Sequence, residues 1–437
     1  MAGPSTGSGA QFRHRSETPG SLSLLKRPGP WFLSEERSDE TEGPAYSEQV
    51  PEFPYSRLRR WPDVEAENLQ AHDATDLLLT ERALALAVER GVAGPEIAVI
   101  GDEYGAITLA LTDAGLRGIR VHQDLATGRR ALDRNAADLG IDGFVAHELD
   151  RSLLDGARLV LLQLPKALAE LEEIADAVAR WAAPDAVLVA GGRVKHMTIA
   201  QNEVTGRSFG VVQAQRAERK SRLVIASEPK EVPVAPPFPV TATHDGLTLV
   251  AHGGAFAGSK LDIGTRVLLD VLRLSRGRAL RLASLAQEPM KGARILDLGC
   301  GTGALAVSYA RAHPDARVIA TDRSAAAVAS ARATVVANGV ADRVTVTHDD
   351  AASEVPTASV DVVLLNPPFH LGASVHTGAA TRLFEASARV LRPGGELFTV
   401  FNSSLGYRAE LTRLIGPTEQ LHRTPKFTVM RSIRRPR

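Results

Sequence analysis

The tetrapeptide Asn366-Pro367-Pro368-Phe369 directly follows an apolar run, residues 360–365. The run is rich in Val and Leu and predicts a buried parallel strand, which the prolines end because proline lacks the N–H that a sheet requires. In an open α/β sheet, ligands lie outside the carboxyl ends of the strands. We therefore expect the Asn366 side chain and the Pro367 carbonyl to face a binding crevice.

These two acceptor oxygens suit the exocyclic amine of a nucleobase. The lone pair of such an amine is delocalised into the ring, so the nitrogen is a poor nucleophile. Asn366 and Pro367 could accept its two hydrogens and direct the lone pair at an electrophile, while Phe369 offers its face to a flat base. Taken alone, the tetrapeptide fits an ordinary turn after a strand equally well.

A loop containing Gly299, Gly301 and Gly303 lies at a predicted strand-to-helix junction. Such a loop turns tightly and lets a nucleotide-type ligand approach the backbone. The spacing also satisfies the loose dinucleotide fingerprint, which leaves NAD as an alternative cofactor. S-adenosylmethionine is favoured because Asp297 precedes the glycines, because the glycines alternate tightly, and because the other motif is Asn-Pro-Pro-Phe.

Three acids have predicted contacts with this cofactor. Asp297 could hold the amino group of a methionine moiety, and Asp322 can accept both ribose hydroxyls because a carboxylate offers two oxygens. Asp350 is placed to take the adenine amine, with Asp349 as the runner-up, although ordinary loop acids would look the same. Cys300 has no identifiable base nearby, and the histidines show no metal-ligand spacing, so we expect neither a nucleophilic thiol nor a metal.

Composition limits the class of protein. The 437 residues allow two domains and a flexible segment. Lys+Arg and Asp+Glu both total 51, so an RNA-binding face must come from local clusters of charge. One cysteine excludes an internal disulfide framework, and no apolar run has the length of a membrane span or the position of a signal peptide. We expect a soluble, cytoplasmic protein; the oligomeric state is open, with a monomer expected.

The chain divides into four predicted regions. Residues 1–62 are rich in Gly, Ser, Pro and charge and are expected to be a disordered leader. Residues 63–230 and 252–437 each alternate strands and helices as βαβ units do, and a proline-rich linker over 231–251 separates them. The main predicted helices are 75–90, 166–181, 261–274 and 324–338. The predicted strands are 96–100, 120–123, 157–162, 186–190, 294–298, 317–321, 343–347, 360–365, 396–401, 421–423 and 427–433.

The two βαβ series are related by an internal repeat. Gly101, Gly105 and Asp124 lie 198 positions before the first and last loop glycines and the ribose acid of the second series. The first series has Glu103 in place of the middle glycine and Gln163 in place of the strand-end asparagine. An acid at a loop that must approach an anionic ligand indicates a degenerate, non-catalytic copy.

Three segments of the second series together resemble the bacterial ribosomal RNA guanine-N2 methyltransferases. They are the Asp-Leu-Gly-Cys-Gly-Thr-Gly run at 297–303, Asn-Pro-Pro-Phe-His at 366–370, and the stretch 254–266, which includes Leu-Asp-Ile-Gly-Thr-Arg. The resemblance covers roughly residues 65–437. It implies two tandem Rossmann-like class I methyltransferase domains, each an α/β fold with a seven-stranded sheet, the N-terminal one degenerate.

The resemblance also implies an activity: transfer of a methyl group from S-adenosylmethionine to the exocyclic N2 amine of a guanine in ribosomal RNA. Gly-Ala-Phe-Ala at 254–257 matches the Gly-Val-Phe-Ser of the family only loosely, and the leader has no counterpart. The family's motif residues carry over to Asp297, Gly299, Gly301, Gly303 and Asp322 for the cofactor, and to Asn366, Pro367, Pro368 and Phe369 for the base amine.

Other classes of protein share part of this pattern. The strand-end motif also fits methylation of adenine or of a protein glutamine amide, because each substrate presents an NH2 group. An NAD-dependent oxidoreductase and a non-catalytic RNA-binding protein are further alternatives, although the intact glycines and Asn366 argue against the last. RNA contacts are expected from three basic clusters, each of which could equally be a solvated face. The clusters are Arg216, Arg219, Lys220 and Arg222; Arg273, Arg276, Arg278 and Arg281; and Arg431, Arg434, Arg435 and Arg437.

Overall fold

A computed structural model describes residues 53–277, 292–367 and 376–436. Pro368 and Phe369, two of the residues predicted to contact the base, lie outside the described residues. So do most of the expected leader and the basic residues Arg278, Arg281 and Arg437.

The first domain is a seven-stranded sheet of order β3-β2-β1-β4-β5-β7-β6. The first five strands are parallel, and β7 pairs antiparallel with both β5 and β6. Its strands are β1 (Ile97–Ile100), β2 (Ile119–His122), β3 (Phe144–Ala146), β4 (Leu159–Gln163), β5 (Val187–Arg193), β6 (Phe209–Ala214) and β7 (Ser221–Pro229). Its helices are α1 (Ala74–Arg90), α2 (Ala106–Asp113), α3 (Ala126–Leu139), α4 (Arg151–Leu154), α5 (Leu168–Trp181) and α6 (Ile199–Ser208).

The second domain repeats this arrangement with the order β12-β11-β10-β13-β14-β16-β15. A two-stranded hairpin of β8 (Val240–His244) and β9 (Leu247–Ala251) precedes it. The strands of its sheet are β10 (Arg294–Leu298), β11 (Arg317–Asp322), β12 (Val344–His348), β13 (Val360–Leu365), β14 (Leu391–Asn402), β15 (Thr418–Arg423) and β16 (Phe427–Ile433). Its helices are α7 (Ile263–Gly277), α8 (Ala304–Ala312), α9 (Ala325–Ala337), α10 (His376–Val390) and α11 (Arg408–Leu414).

Burial explains why the central strands form. All four residues of β1 are buried, and alternate residues enter different cores: Val99 packs on one face of the sheet and Ala98 on the other. In β13, Leu364 and Val363 divide between two cores in the same way. A strand buried on both faces reads as a continuous apolar run. The prediction of two α/β Rossmann-like domains is confirmed.

The expected linker over 231–251 is in part the β8–β9 hairpin. Asp245 and Gly246 connect the strands with φ of 49° and 77°, the left-handed pair that a two-residue type I′ turn needs. Side chains of α9 bond the edge of β9, since Val250 N–H donates to Thr334 Oγ1 at 2.9 Å. The Asp-Gly pair between alternating residues was the available signal for this hairpin.

Residues 53–62 belong to the folded first domain. Phe53 and Tyr55 pack against the core of the first domain, and Leu58 is only 4% exposed. The expected disorder is wrong for residues 53–62, because Phe53, Tyr55 and Leu58 pack in or against the core of the first domain. Within the described residues, no helix is long and apolar enough to cross a membrane.

Candidate functional site

A cavity of about 360 Å³ lies at the carboxyl ends of β10, β11 and β13. Most of the predicted site residues line the cavity, whereas Asp297 and Gly303 do not. The predicted residues on the wall are Gly299, Gly301, Asp322, Asp350, Asn366 and Pro367.

The glycine loop is shaped to leave room in this cavity. Gly299 and Gly301 have φ of 72° and 53°, a left-handed conformation that side chains rarely adopt. A Cβ built on either glycine would meet nothing within 4 Å, so the space beside the loop is open. The loop is fixed by Gly301 N–H, which donates to Asp322 Oδ2 at 2.9 Å.

Asp297 supports the start of α8 from behind the loop. Its Oδ2 accepts from Ala306 N–H at 2.9 Å, and its Oδ1 is buried without a partner in the described part of the chain. Burial raises the pKa of Asp297 to about 7 because the charged form is desolvated. A buried acceptor without a donor is a place where a bound group can complete the hydrogen bonding.

Asp322 lines the cavity, and both of its carboxylate oxygens accept main-chain hydrogen bonds. Its Oδ1 accepts from Ser324 N–H at 3.0 Å, and its Oδ2 accepts from the loop. Each oxygen keeps a further lone pair, so two hydroxyls of a ribose can still be accepted. Desolvation raises the pKa of this carboxyl, which the two N–H donors oppose.

Asp349 and Asp350 have different partners. Asp349 is 1% exposed and accepts from Arg130 of the first domain at 2.8 Å and from Glu354 N–H at 2.9 Å, so its carboxylate serves the domain contact. Asp350 is also buried and forms an ion pair with Arg382 on the cavity wall. Desolvation raises the pKa of Asp350, and Arg382 opposes that rise. Asp350 therefore stays the better candidate for an adenine contact.

The orientation of the Asn366 amide is determined by two residues that precede it by about a hundred positions. Its Nδ2 donates to Asp262 Oδ2 at 3.0 Å and to Thr265 Oγ1 at 2.9 Å. The amide oxygen is buried and has no donor among the described residues. Both hydrogens of the amide nitrogen are thus used by Asp262 and Thr265. The amide oxygen can accept a hydrogen bond from a ligand, as binding of an amine requires. Asp262 and Thr265 lie in the Leu-Asp-Ile-Gly-Thr-Arg segment, and their role in orienting Asn366 was not predicted.

The first domain contributes to the same region. Asp63 and Val64 line the cavity. Asp124, the counterpart of the ribose acid, accepts from Ser324 Oγ at 3.1 Å and from Ala326 N–H at 2.9 Å. It therefore caps α9, the helix that begins just after Asp322. These contacts between the domains were not predicted.

Two other predictions concern titratable groups. Cys300 is buried, and burial raises the pKa of its thiol, which disfavours the thiolate that a nucleophile would need. Arg431 is 6% exposed and pairs with Glu396, so its assignment to an RNA-binding cluster is wrong. In the ranges that the structure covers, no group of His, Cys, Asp or Glu is arranged to hold a metal.

Both halves of the chain match known domain families. Residues 246–431 match the methyltransferase small domain, and residues 49–231 match the RLMG N-terminal domain. Among solved structures, a T. Thermophilus 16S rRNA N2 G1207 methyltransferase in complex with AdoMet and guanosine has the same fold. Its TM-score is 0.64 at 23% identity, with 83% of this chain and 92% of that chain covered.

The fold, the glycine loop and these matches define a class I S-adenosylmethionine-dependent methyltransferase. A Streptomyces avermitilis relative, the ribosomal RNA large subunit methyltransferase G, is 34% identical over 86% of this chain and 97% of its own length. The Pseudomonas aeruginosa PAO1 protein of that name is 36% identical over 86% of this chain and 96% of its own. The chain belongs to the ribosomal RNA large subunit methyltransferase G family. The predicted family, enzyme class and cofactor are confirmed.

Proposed function

We propose that this protein methylates the exocyclic N2 amine of a guanine in large-subunit ribosomal RNA, with S-adenosylmethionine as methyl donor. The observation that carries the proposal is the Asn366 amide, whose nitrogen is held by Asp262 and Thr265 and whose buried oxygen has no donor among the described residues. The names of the relatives support ribosomal RNA of the large subunit as the substrate.

The residues of the cavity fit the cofactor. Open space beside Gly299 and Gly301 suits the methionine and ribose portions, and Asp322 offers two oxygens to ribose hydroxyls. Asp297 supports this loop, and Asp350 is the candidate for the adenine amine. When bound, the cofactor supplies an electrophilic methyl group on a sulfonium.

The chain then has to position the amine and keep water away. Asn366 Oδ1 and the Pro367 carbonyl accept the two hydrogens of the amine, which fixes the direction of the nitrogen lone pair. The target guanine must be unpaired or flipped out to enter the cavity. No covalent bond to the protein is required, and one amine proton leaves to solvent after transfer. Pro368 and Phe369 keep their predicted roles in holding the base as part of this proposal.

Methyl transfer to purified RNA tests this function. Labelled S-adenosylmethionine would be incubated with large-subunit rRNA from a strain that lacks the enzyme, and the product nucleoside identified. We expect N2-methylguanosine with the wild type and a loss of at least 100-fold with Asn366→Ala. Asn402→Ala is a matched control, because Asn402 ends the neighbouring parallel strand β14. If the product were N6-methyladenosine, the target base would be adenine and not guanine.

Two further expectations concern the cellular location and the oligomeric state of the enzyme. Ribosomal RNA is a cytoplasmic substrate, which supports the expected cytoplasmic location. The expected monomer stays a prediction. Light scattering of the purified protein, with one or two chains per particle as outcomes, tests the oligomeric state.

A further inference from the structure

A tryptophan at the start of the first domain is unusually accessible. Trp61 is 49% exposed, although Leu58, three residues earlier, is 4% exposed. The guanidinium of Arg134 lies 5.2 Å from the centroid of the Trp61 ring. This contact uses one face of the indole. The exposed part of the ring is available to a second flat group.

The segment that carries Trp61 is held rigidly. Arg60 Nε donates to Val64 O at 2.8 Å, and Arg60 Nη1 donates to Gln70 O at 3.1 Å. Tyr104 Oη donates to Asp63 at 2.9 Å. The position of the indole is therefore established before any ligand binds, which reduces the entropy that binding would lose.

Two independent contacts put Trp61 and Arg134 near the rim of the cavity. Asp63 and Val64, two and three residues after Trp61, line the cavity, so Trp61 lies within about 7 Å of the wall along the chain. Arg134 follows Arg130 by one turn of α3, and Arg130 forms an ion pair with Asp349, another residue of the wall.

Several arginines lie close to the indole, although Asp63 pairs with Arg60 and Asp138 with Arg134. Arg57 and Arg59, four and two residues before Trp61, are exposed, and the Arg57 guanidinium donates to the main-chain carbonyl of Asp138. Arg134 pairs with Asp138 at 3.4 Å, with both side chains more than half exposed. Such an ion pair is weak in water. The guanidinium groups are therefore able to contact phosphates.

We propose that Arg57, Arg59, Trp61 and Arg134, which we call the rim surface, bind a single-stranded nucleotide that flanks the target guanine. A guanine that leaves its stack to enter the cavity leaves a neighbour without a stacking partner. Trp61 replaces that partner, and the arginines hold the adjoining phosphates. This inference rests on the proposed function and gives the first domain a direct contact with the substrate.

The test is steady-state kinetics of the full chain with naked large-subunit rRNA from a strain that lacks the enzyme. Trp61→Ala should raise the KM for RNA about ten-fold, with the dissociation constant of S-adenosylmethionine and the melting temperature unchanged. Trp61→Phe should restore most of the affinity, because the phenyl ring still stacks. Val88→Ala is the control: it truncates an exposed apolar residue elsewhere, on α1, and should behave as the wild type.

Tryptophan fluorescence gives a second measurement that does not require the alanine variant to fold. RNA should quench the emission of the wild type, and Trp61→Phe should remove most of that quenching. A KM for RNA that stays within two-fold in Trp61→Ala, or quenching that persists in Trp61→Phe, overturns the rim surface. So does an effect confined to assembled subunits, which would indicate a ribosomal protein as the partner. Absence of methylation by the wild type contradicts the proposed function instead.

Discussion

The two domains share one sheet order but differ at the strand end where the site lies. In the second domain, a Cβ on Gly299 would meet nothing within 4 Å. In the first domain, a Cβ on Gly101 would lie 3.3 Å from Gln163 Cβ, so the end of β4 lies close to the loop. Gln163 donates its amide nitrogen to Asp76, near the start of α1. The two domains therefore share a fold, but the space beside the first glycine of the loop is open only in the second.

The comparison also shows a change of role at one acid. Asp322 faces the cavity, whereas its counterpart Asp124 caps α9 of the other domain. The main chains of these two loops meet, since Leu125 forms an antiparallel bridge with Ser324 and Ala126 N–H donates to Arg323 O at 2.8 Å. The first domain therefore supports the loop after β11, which carries the predicted ribose contact Asp322.

The largest effect is expected when the second domain receives the residue that the first domain has at the strand end, glutamine in place of Asn366. Asn366→Gln moves the acceptor oxygen by one methylene and loses its fit to Asp262 and Thr265. We expect kcat to fall about 100-fold, since a misplacement of about 1 Å can have that effect, with cofactor affinity unchanged. Single-turnover methyl transfer measures the fall, with Asn402→Gln as control. A kcat within a few-fold of wild type would remove Asn366 from the chemistry.

The next change imports the acid of the first loop. Gly301→Glu puts a side chain into the open space beside the loop and forces it into a left-handed conformation, with φ of 53°. We expect S-adenosylmethionine to bind at least about 30-fold more weakly by calorimetry, from steric exclusion and strain of about 1 kcal/mol. Gly394→Glu is the matched control, with φ of 78° and open space at a position that does not line the cavity. Unchanged affinity in Gly301→Glu would place the cofactor elsewhere.

A smaller effect tests the contact between the domains. Asp124→Ala removes the carboxylate that accepts from Ala326 N–H in the first turn of α9, while Ser324 Oγ still accepts from Ala327 N–H, and it should lower the free energy of unfolding by about 1 kcal/mol. It should also weaken cofactor binding by about five-fold, because Asp322 and Ser324 lie in the released loop. Asp150→Ala removes a comparable cap, that of α4, and should reduce stability without changing cofactor affinity. Equal cofactor affinity in both variants would make Asp124 purely structural.

The smallest expected effect concerns pH. Desolvation raises the pKa of Asp76 to about 8. Between about pH 4 and pH 8, the folded state therefore keeps a proton that the unfolded state has lost. Stability from this group is complete below about pH 4 and is lost as the pH rises through 8.

Asp76→Asn should make the free energy of unfolding less dependent on pH. We expect the decrease between pH 7 and pH 8 to shrink by about 1 kcal/mol in chemical denaturation. The exposed Asp113 provides the control substitution, Asp113→Asn. An identical decrease in wild type and Asp76→Asn would show that Asp76 is ionised in the folded protein.

The sequence was informative where burial is continuous. Strands β1, β4, β10 and β13 were predicted because their apolar runs are buried on both faces. The edge strand β3 was missed because it has three residues, none of them fully buried. β7 was missed because its buried and partly exposed residues follow no simple period.

The candidate site was predictable as motifs but not as contacts. The glycine loop, Asp322 and Asn366 are local patterns. The bonds of Asn366 to Asp262 and of Arg130 to Asp349 join residues 104 and 219 positions apart. Such pairs depend on how helices and domains pack, which no local spacing reports.

Nucleoside analysis of large-subunit rRNA methylated by two variants, Asn366→Ala and Gln163→Ala, tests the central claim most directly. Both substitutions truncate the strand-end amide, one in each domain. If only the second domain presents an amine to the cofactor, Asn366→Ala will abolish N2-methylguanosine and Gln163→Ala will form it at a rate close to that of the wild type. Full activity in Asn366→Ala, or its loss only in Gln163→Ala, would contradict the assignment of the active site to the second domain.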